Sequence, residues 1–382
     1  MKVIQVVPDI AHESSGVSYT MLSICRGLSN AGCDVSLYST GLPKGMEFSY
    51  MAVECPVKSF PSARLGRSPE MFGRLKDACQ TADVIHSNSL WMMPNIYPYW
   101  ASRGTNCKLV MQPHGTLSEY ALSRSRWKKR LIGWCGQHAA LKAADMFVAT
   151  AESEYEDIRR LGFKQPVVVL PNGVDLPTLN LGEIKRCDRG RRRMFFLSRI
   201  HPKKNVGMLI RCWAKLEDQF PNWDLSIVGP DKNNQYADEM KQLAVELGCK
   251  RVVFEGELKG DAKFRFMAES DCEVLPTFSE NFGMVVAESL ACGTPVICSH
   301  GAPWEGLDVE GCGWWIATEE SDLENAMGEA MRMPQDELLA MGTRGRDWMR
   351  REFDWNAIGR KMKISYEWLV GGCDKPEWVY LA

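Results

Sequence analysis

Short runs rich in Val, Ile and Leu alternate along the whole chain with longer stretches whose apolar residues recur at helical spacing. This alternation constrains the fold most, because strands that read as near-continuous apolar runs are buried on both faces and need helices on each side. Val3 to Pro8 reads as the first strand, Val17 to Ala31 as a helix closed by Gly32, and Asp34 to Ser39 as the next strand. Further strands are predicted at Asp83–Ser87, Lys108–Gln112, Met146–Thr150 and Val167–Leu170. Pattern is lost over 181–193, where Gly182, Gly190 and the run Arg189 to Arg193 show no apolar face, so this segment reads as a linker. The alternation then resumes with strands at Met194–Leu197, Asp224–Val228, Arg251–Phe254, Cys272–Pro276 and Pro295–Ser299.

The expectation is an α/β protein of two doubly wound, Rossmann-like domains facing across a deep cleft. The first covers 1–180 and the second 194–355, with the helical tail 356–382 completing the first. Trp355, Ile358, Met362, Ile364 and Trp368 mark the packed side of that tail.

Composition excludes several classes. The 382 residues carry 46 Lys and Arg against 48 Asp and Glu, so no basic field is available for nucleic acid. No apolar run reaches the ~18 residues that span a bilayer, and Val3 to Val7 is too short for a signal peptide. Fourteen cysteines without a C-x-x-C pair suit a reducing compartment, and a cytoplasmic location is expected. The chain lacks the G-x-G-x-x-G, P-loop, G-x-S-x-G, H-E-x-x-H and D-x-D patterns. With six scattered histidines, neither a metal nor another cofactor is expected.

The most informative stretch runs from Pro276 to Ile297: a strand end, a polar loop, a helix, Gly-Thr-Pro and another strand. Glu280 precedes the helix and Glu288 lies within it, with seven residues between. An acid before a helix ordinarily serves its dipole, and a mid-helix Glu ordinarily faces solvent. Here, however, the loop sits at a strand's carboxyl end, where doubly wound folds bind ligands. The amides of Asn281, Phe282 and Gly283 open the helix toward an anion. Upstream, Arg199 and Lys204 follow the strand 194–197, and two cations beside helix-start amides form a natural diphosphate cradle.

Taken together, these elements resemble the retaining glycosyltransferases of family 4, which have the GT-B fold. The resemblance rests on Glu280-x7-Glu288, on Ser198-Arg199-Ile200 to Lys204-Asn205, and on Pro171-Asn-Gly-Val-Asp175. Ile227-Val-Gly229 and the Ser15-Gly16 turn into the first helix add to it. It implies a nucleotide-sugar donor and a saccharide acceptor. Arg199 and Lys204 would neutralise the leaving diphosphate, and Glu288 would accept the ribose hydroxyls. Glu280 and the amides of Asn281, Phe282 and Gly283 would hold the sugar and distal phosphate. Gly16 would admit that phosphate, and Gly229 would leave room beside the nucleotide. Asn205 stands where the family has Gly, which is harmless unless the backbone needs positive φ. His114, at the end of the strand 108–112, reads either as a turn histidine or, by the resemblance, as a catalytic residue facing the sugar.

UDP is the expected base, with GDP open. The resemblance points to bacterial surface polysaccharide, including O-antigen and lipopolysaccharide, and to a lipid-linked acceptor. The stretch Arg124–Arg130, with Trp127 and followed by Leu131, Ile132 and Trp134, reads in two ways. It is either a peripheral contact with an anionic membrane or a helix with a core face and solvated charges. The rival functions are a nucleotide-sugar epimerase and a non-catalytic nucleotide-sugar-binding subunit.

Overall fold

The computed structural model describes residues 1–11, 16–58, 65–177, 190–230 and 235–382. It divides into two compact units, Met1–Gly173 with Trp355–Ala382, and Val174–Asp354. Of the expected linker, 181–189 lie outside the described residues. Ser15 of the expected N-terminal turn does too.

The first unit runs β1 (Lys2–Val6), α1 (Gly16–Asn30), β2 (Asp34–Ser39), β3 (Met51–Glu54), α2 (Pro69–Ala78), β4 (Val84–Asn88), α3 (Tyr97–Ser102), β5 (Lys108–Gln112), α4 (Glu119–Ser123), α5 (Arg126–Ile132), α6 (His138–Ala143), β6 (Met146–Ala149), α7 (Glu152–Arg160) and β7 (Val167–Val169). The second runs β8 (Arg192–Leu197), α8 (Val206–Leu216), β9 (Trp223–Val228), α9 (Gln235–Glu246), β10 (Val252–Gly256), α10 (Gly260–Ala268), β11 (Cys272–Leu275), α11 (Met284–Ala291), β12 (Val296–Ser299), α12 (Gly306–Val309), β13 (Gly313–Ile316), α13 (Glu320–Arg332) and α14 (Gln335–Glu352). The chain then returns to the first unit with α15 (Trp355–Leu369) and β14 (Val379–Tyr380).

The first sheet has the order β14-β7-β6-β5-β4-β1-β2-β3 and is parallel except for β14. Alternate residues of its strands feed two separate cores. Ile4 and Val6 join Ile85 and Leu109 on one face, while Val3 and Val7 join Val35 and Val84 on the other. This is the two-sided burial that apolar strand runs require. Helix α15 closes the second of these layers against α1. The two helices approach through glycines: a Cβ on Gly27 would lie 2.4 Å from the Trp355 carbonyl oxygen, and one on Gly359 would lie 2.3 Å from Gly27. Across the same seam Asn30 Nδ2 donates to Asn356 Oδ1 at 2.8 Å.

The second sheet, order β10-β9-β8-β11-β12-β13, is all parallel. Its first strand begins at Arg192, so the last residues of the expected linker are already strand. Charge in a half-buried strand is tolerated because aromatic faces cover it. The Arg192 guanidinium lies 4.2 Å from the Trp223 ring centroid and donates to the Met333 carbonyl, and Arg193 lies 4.5 Å from the Phe266 centroid.

In both sheets the strand order reverses at one point. In the first it lies between β1 and β4, and in the second between β8 and β11. Loops leaving adjacent strands in opposite directions open a crevice at each point. Among the described residues no helix is long and apolar enough to cross a membrane.

Candidate active site

At the reversal point of the second sheet, the loops after β8 and β11 meet. The β8 loop ends in a 3-10 turn, Pro202–Lys204, closed by Asn205 in the left-handed conformation at φ 58°. The backbone here does need positive φ, and Asn is the non-glycine residue that best tolerates it. The turn carries Lys204 into the protein, where its ammonium pairs with Glu280 Oε1 from the β11 loop. The same oxygen accepts the Thr277 hydroxyl at 3.1 Å, and the Glu280 amide donates to the Gly301 carbonyl at 2.6 Å. Lys204 and Glu280 side chains are only 10% and 14% exposed. A pair this dry holds because each charge neutralises the other, and removing either partner strands a buried charge. Arg199, by contrast, is exposed and makes no ion pair among the described residues.

Gly283 caps α11 at φ 82°, so the loop turns sharply into the helix. Phe282 is buried, its ring packed on Trp304 and Phe353 and its carbonyl accepting the Trp304 indole N–H. Trp304 is therefore a brace for this loop. Asn281 lies between Glu280 and Phe282 in the same loop. Gly229 directly follows β9, where a Cβ would stand 2.0 Å from the Ser198 carbonyl oxygen. Only glycine lets the β8 and β9 ends pass so closely.

Glu288 is buried on α11 and does not face solvent. Lys263 on α10, which the sequence reading passed over, donates to Glu288 Oε1 at 2.7 Å. Burial pushes the Glu288 carboxyl upward and Lys263 opposes this. Beneath lies a third carboxyl, Glu273 of β11, fully buried and also missed. The cluster thus holds Lys204, Lys263, Glu273, Glu280 and Glu288. The E-x7-E spacing and the place of Lys204 after β8 signalled it in the sequence; Lys263 and Glu273 carried no such signal. A lysine on another helix carries no local mark of its partner, and Glu273 reads as one acid in an apolar run.

In the first unit, Gly16 opens α1. His114 follows β5 in the left-handed region at φ 53°, with Gly115 at φ 73°. A non-glycine residue held in this region needs anchoring. Glu154, buried at the start of α7, supplies it: Oε1 accepts the Gly115 amide at 2.6 Å, and Oε2 accepts the Thr150 amide and hydroxyl at 2.8 and 2.9 Å. His114 Nε2 lies 3.3 Å from Asn88 Oδ1, and loss of hydration holds its pKa down at about 4, so the ring is neutral at pH 7.

The stretch 119–137 gives α4, α5 and a π-turn. Trp127, Leu131 and Trp134 are 68%, 49% and 90% exposed, so the apolar residues at this spacing are not core. Ile132 is buried and anchors the helix.

Two family models match the chain. Glycosyltransferase Family 4 covers residues 14–177, and Glycosyl transferases group 1 covers 183–348. A D-inositol 3-phosphate glycosyltransferase of Corynebacterium jeikeium is 26% identical over 59% of this chain and 57% of its own length. A GDP-mannose-dependent alpha-(1-6)-phosphatidylinositol monomannoside mannosyltransferase of Mycolicibacterium smegmatis is 30% identical over 44% of this chain and 45% of its own. The chain spans about half the length of the curated relatives it matches. The structure of Anabaena Alr3699/HepE in complex with UDP and glucose superposes with a TM-score of 0.73 at 18% identity, covering 96% of this chain and 99% of that one. With one family model on each of two doubly wound units, the chain belongs to the family 4 glycosyltransferases and has the GT-B fold.

Proposed function

We propose that the protein is a retaining, metal-independent glycosyltransferase that moves a sugar from a nucleotide-diphosphate sugar to a saccharide acceptor. The observation that carries this is the Lys204–Glu280 pair at the reversal point of the second sheet, with Glu288 and the Asn281–Gly283 turn beside it. Arg199, exposed and without an ion pair among the described residues, is the cation left over for the diphosphate. Lys204 is the second cation, and it exchanges part of its contact with Glu280 for phosphate oxygen. Glu288 accepts ribose hydroxyls through the oxygen that Lys263 leaves open. Glu280 and the turn amides hold the sugar and distal phosphate, Gly229 borders the nucleotide, and Gly16 admits the phosphate. His114, neutral and strained, is the sugar-facing residue.

Stabilisation of charge on the leaving diphosphate, with alignment, is then the main catalytic work. UDP is the favoured base, consistent with the UDP complex of the structural neighbour, and GDP is the alternative suggested by the mannosyltransferase relative. A lipid-linked acceptor in surface polysaccharide synthesis, O-antigen included, completes the reading. It is supported by the exposed Trp127, Leu131 and Trp134 among Arg124, Lys128 and Arg130, a combination suited to an anionic membrane surface in peripheral contact from the cytoplasmic side.

The test is a thermal-shift series with UDP-, GDP-, ADP- and dTDP-sugars, each with and without EDTA. A donor at 100 times its Kd stabilises by about 2.7 kcal/mol. A shift with one nucleotide that survives EDTA is expected, and no shift with any donor refutes the proposal. Membrane contact is tested separately by sedimentation with anionic vesicles, which charge reversal at Lys128 and Arg130 should weaken.

A further inference from the structure

A chain of buried side chains runs behind His114 through the first unit, from the end of β5 to the C-terminal helix α15. Asn88, the last residue of β4, has Oδ1 3.3 Å from His114 Nε2. Its Nδ2 faces three acceptors: Gln5 Oε1 at 2.9 Å, the Val6 carbonyl at 3.3 Å and the His86 carbonyl at 3.4 Å. Those three oxygens fix which end of the amide points where, because only the amino group can donate to them. Gln5 in turn directs Nε2 to the Tyr366 oxygen at 3.1 Å, and Tyr366 lies 2.6 Å from His86 Nδ1. His86 Nε2 is buried without a hydrogen-bond partner among the described residues.

The direction of this chain leaves only an oxygen facing His114. We infer that Asn88 is a positioning residue that fixes His114 as its Nε2–H tautomer and thereby leaves Nδ1 as a hydrogen-bond acceptor. An imidazole whose second nitrogen is held in this way has its ring plane and its proton set by the residue behind it. Glu154 fixes the backbone of the same turn through Gly115, so the ring is held from two strand ends, β4 through Asn88 and β6 through Thr150 and Glu154. The chemistry offered at Nδ1 is acceptance of a hydrogen bond from a hydroxyl, which suits a sugar hydroxyl. Tyr366 ties the far end of this arrangement to α15, its oxygen accepting the Gln5 amide N–H.

The consequence for catalysis rests on the proposed sugar-facing role of His114, whereas the tautomer does not. The experiment is nitrogen-15 NMR of histidine-labelled full-length protein at pH 7, with His114 assigned by its loss in His114→Gln. The expected spectrum has a pyrrole-type Nε2 and a pyridine-type Nδ1, with a one-bond Nε2–H correlation that persists in water. Asn88→Ala should lose that correlation to fast exchange. A wild-type Nδ1–H tautomer or imidazolium, or an unchanged spectrum in Asn88→Ala, overturns the inference. If Asn88→Ala does not fold, the wild-type spectrum alone decides. Turnover of UDP-glucose and GDP-mannose, with water as acceptor, gives the catalytic arm. There Asn88→Ala should lower kcat about 10- to 100-fold, the scale of a misaligned group, with KM within about twofold. Normal turnover in His114→Ala, with the tautomer intact, would instead refute the role of His114 and leave its positioning standing.

Discussion

Glu273 provides a direct test of how the charges at the candidate site are balanced. It has no accessible surface, and neither carboxyl oxygen has a hydrogen-bond partner among the described residues. Burial pushes its pKa from 4.5 up to about 8. The Ser289 hydroxyl lies beside it, outside hydrogen-bond geometry in this conformation, and with Lys204 and Lys263 it pulls the pKa back, while Glu288 adds to the rise. At pH 7 the group is mostly protonated, leaving two ammoniums against the two carboxylates Glu280 and Glu288. The folded state holds this proton more tightly than the unfolded chain does. Stability from this group is therefore fully present below pH 4.5 and is lost as pH rises through 8. Between pH 5 and pH 7 the loss is about 2–3 kcal/mol, at ~1.4 kcal/mol per pH unit once the unfolded carboxyl has ionised. Glu273→Gln keeps the shape and removes the titration. Over pH 5 to 8.5 the loss reaches about 4 kcal/mol, so thermal melts of both proteins should show the Gln variant gaining on wild type by roughly 8–15 °C, since 1 kcal/mol moves Tm about 2–4 °C in a domain of this size. A difference in Tm that stays constant with pH refutes the reasoning, because Glu273 would then titrate as it does in the unfolded chain.

Four further perturbations have expected outcomes. Lys204→Ala and Glu280→Ala should each cost about 3–5 kcal/mol by leaving a buried charge unpaired, and the double variant should cost clearly less than their sum in urea unfolding. Arg199→Ala should leave stability within about 0.5 kcal/mol. The same variant should lower turnover on the order of 10²–10³-fold, the scale of one lost charge-stabilising donor, and near-normal turnover would remove it from the diphosphate role. Gly27→Ala should destabilise the first unit by about 1–3 kcal/mol or more, as overpacking does, because α1 and α15 touch there. Gly73→Ala on α2, with nothing near its would-be Cβ, should be neutral or stabilising by roughly 0.5–1 kcal/mol, as chemical denaturation would show.

The central strands were legible in the sequence because burial on both faces leaves a continuous apolar run. Val84–Asn88, Met146–Ala149, Cys272–Leu275 and Val296–Ser299 are buried throughout. The strands that escaped the reading, Met51–Glu54, Gly313–Ile316 and Val379–Tyr380, all lie at sheet edges, where one side is unpaired and the pattern weakens. Arg192 and Arg193 were read as linker because their charge hides a strand that only Trp223 and Phe266, distant in sequence, make tolerable. Local spacing offered Glu280, Glu288, Arg199 and Lys204 as candidates, since the loops and the helix that carry them follow strands readable on their own. It could not show that Lys204 meets Glu280, that Lys263 meets Glu288, or that Asn88 stands behind His114. Periodicity reports which face of an element is buried. Which charge or amide on another element meets it there depends on strand order and on the turns at strand ends, and these exist only once the sheets have formed.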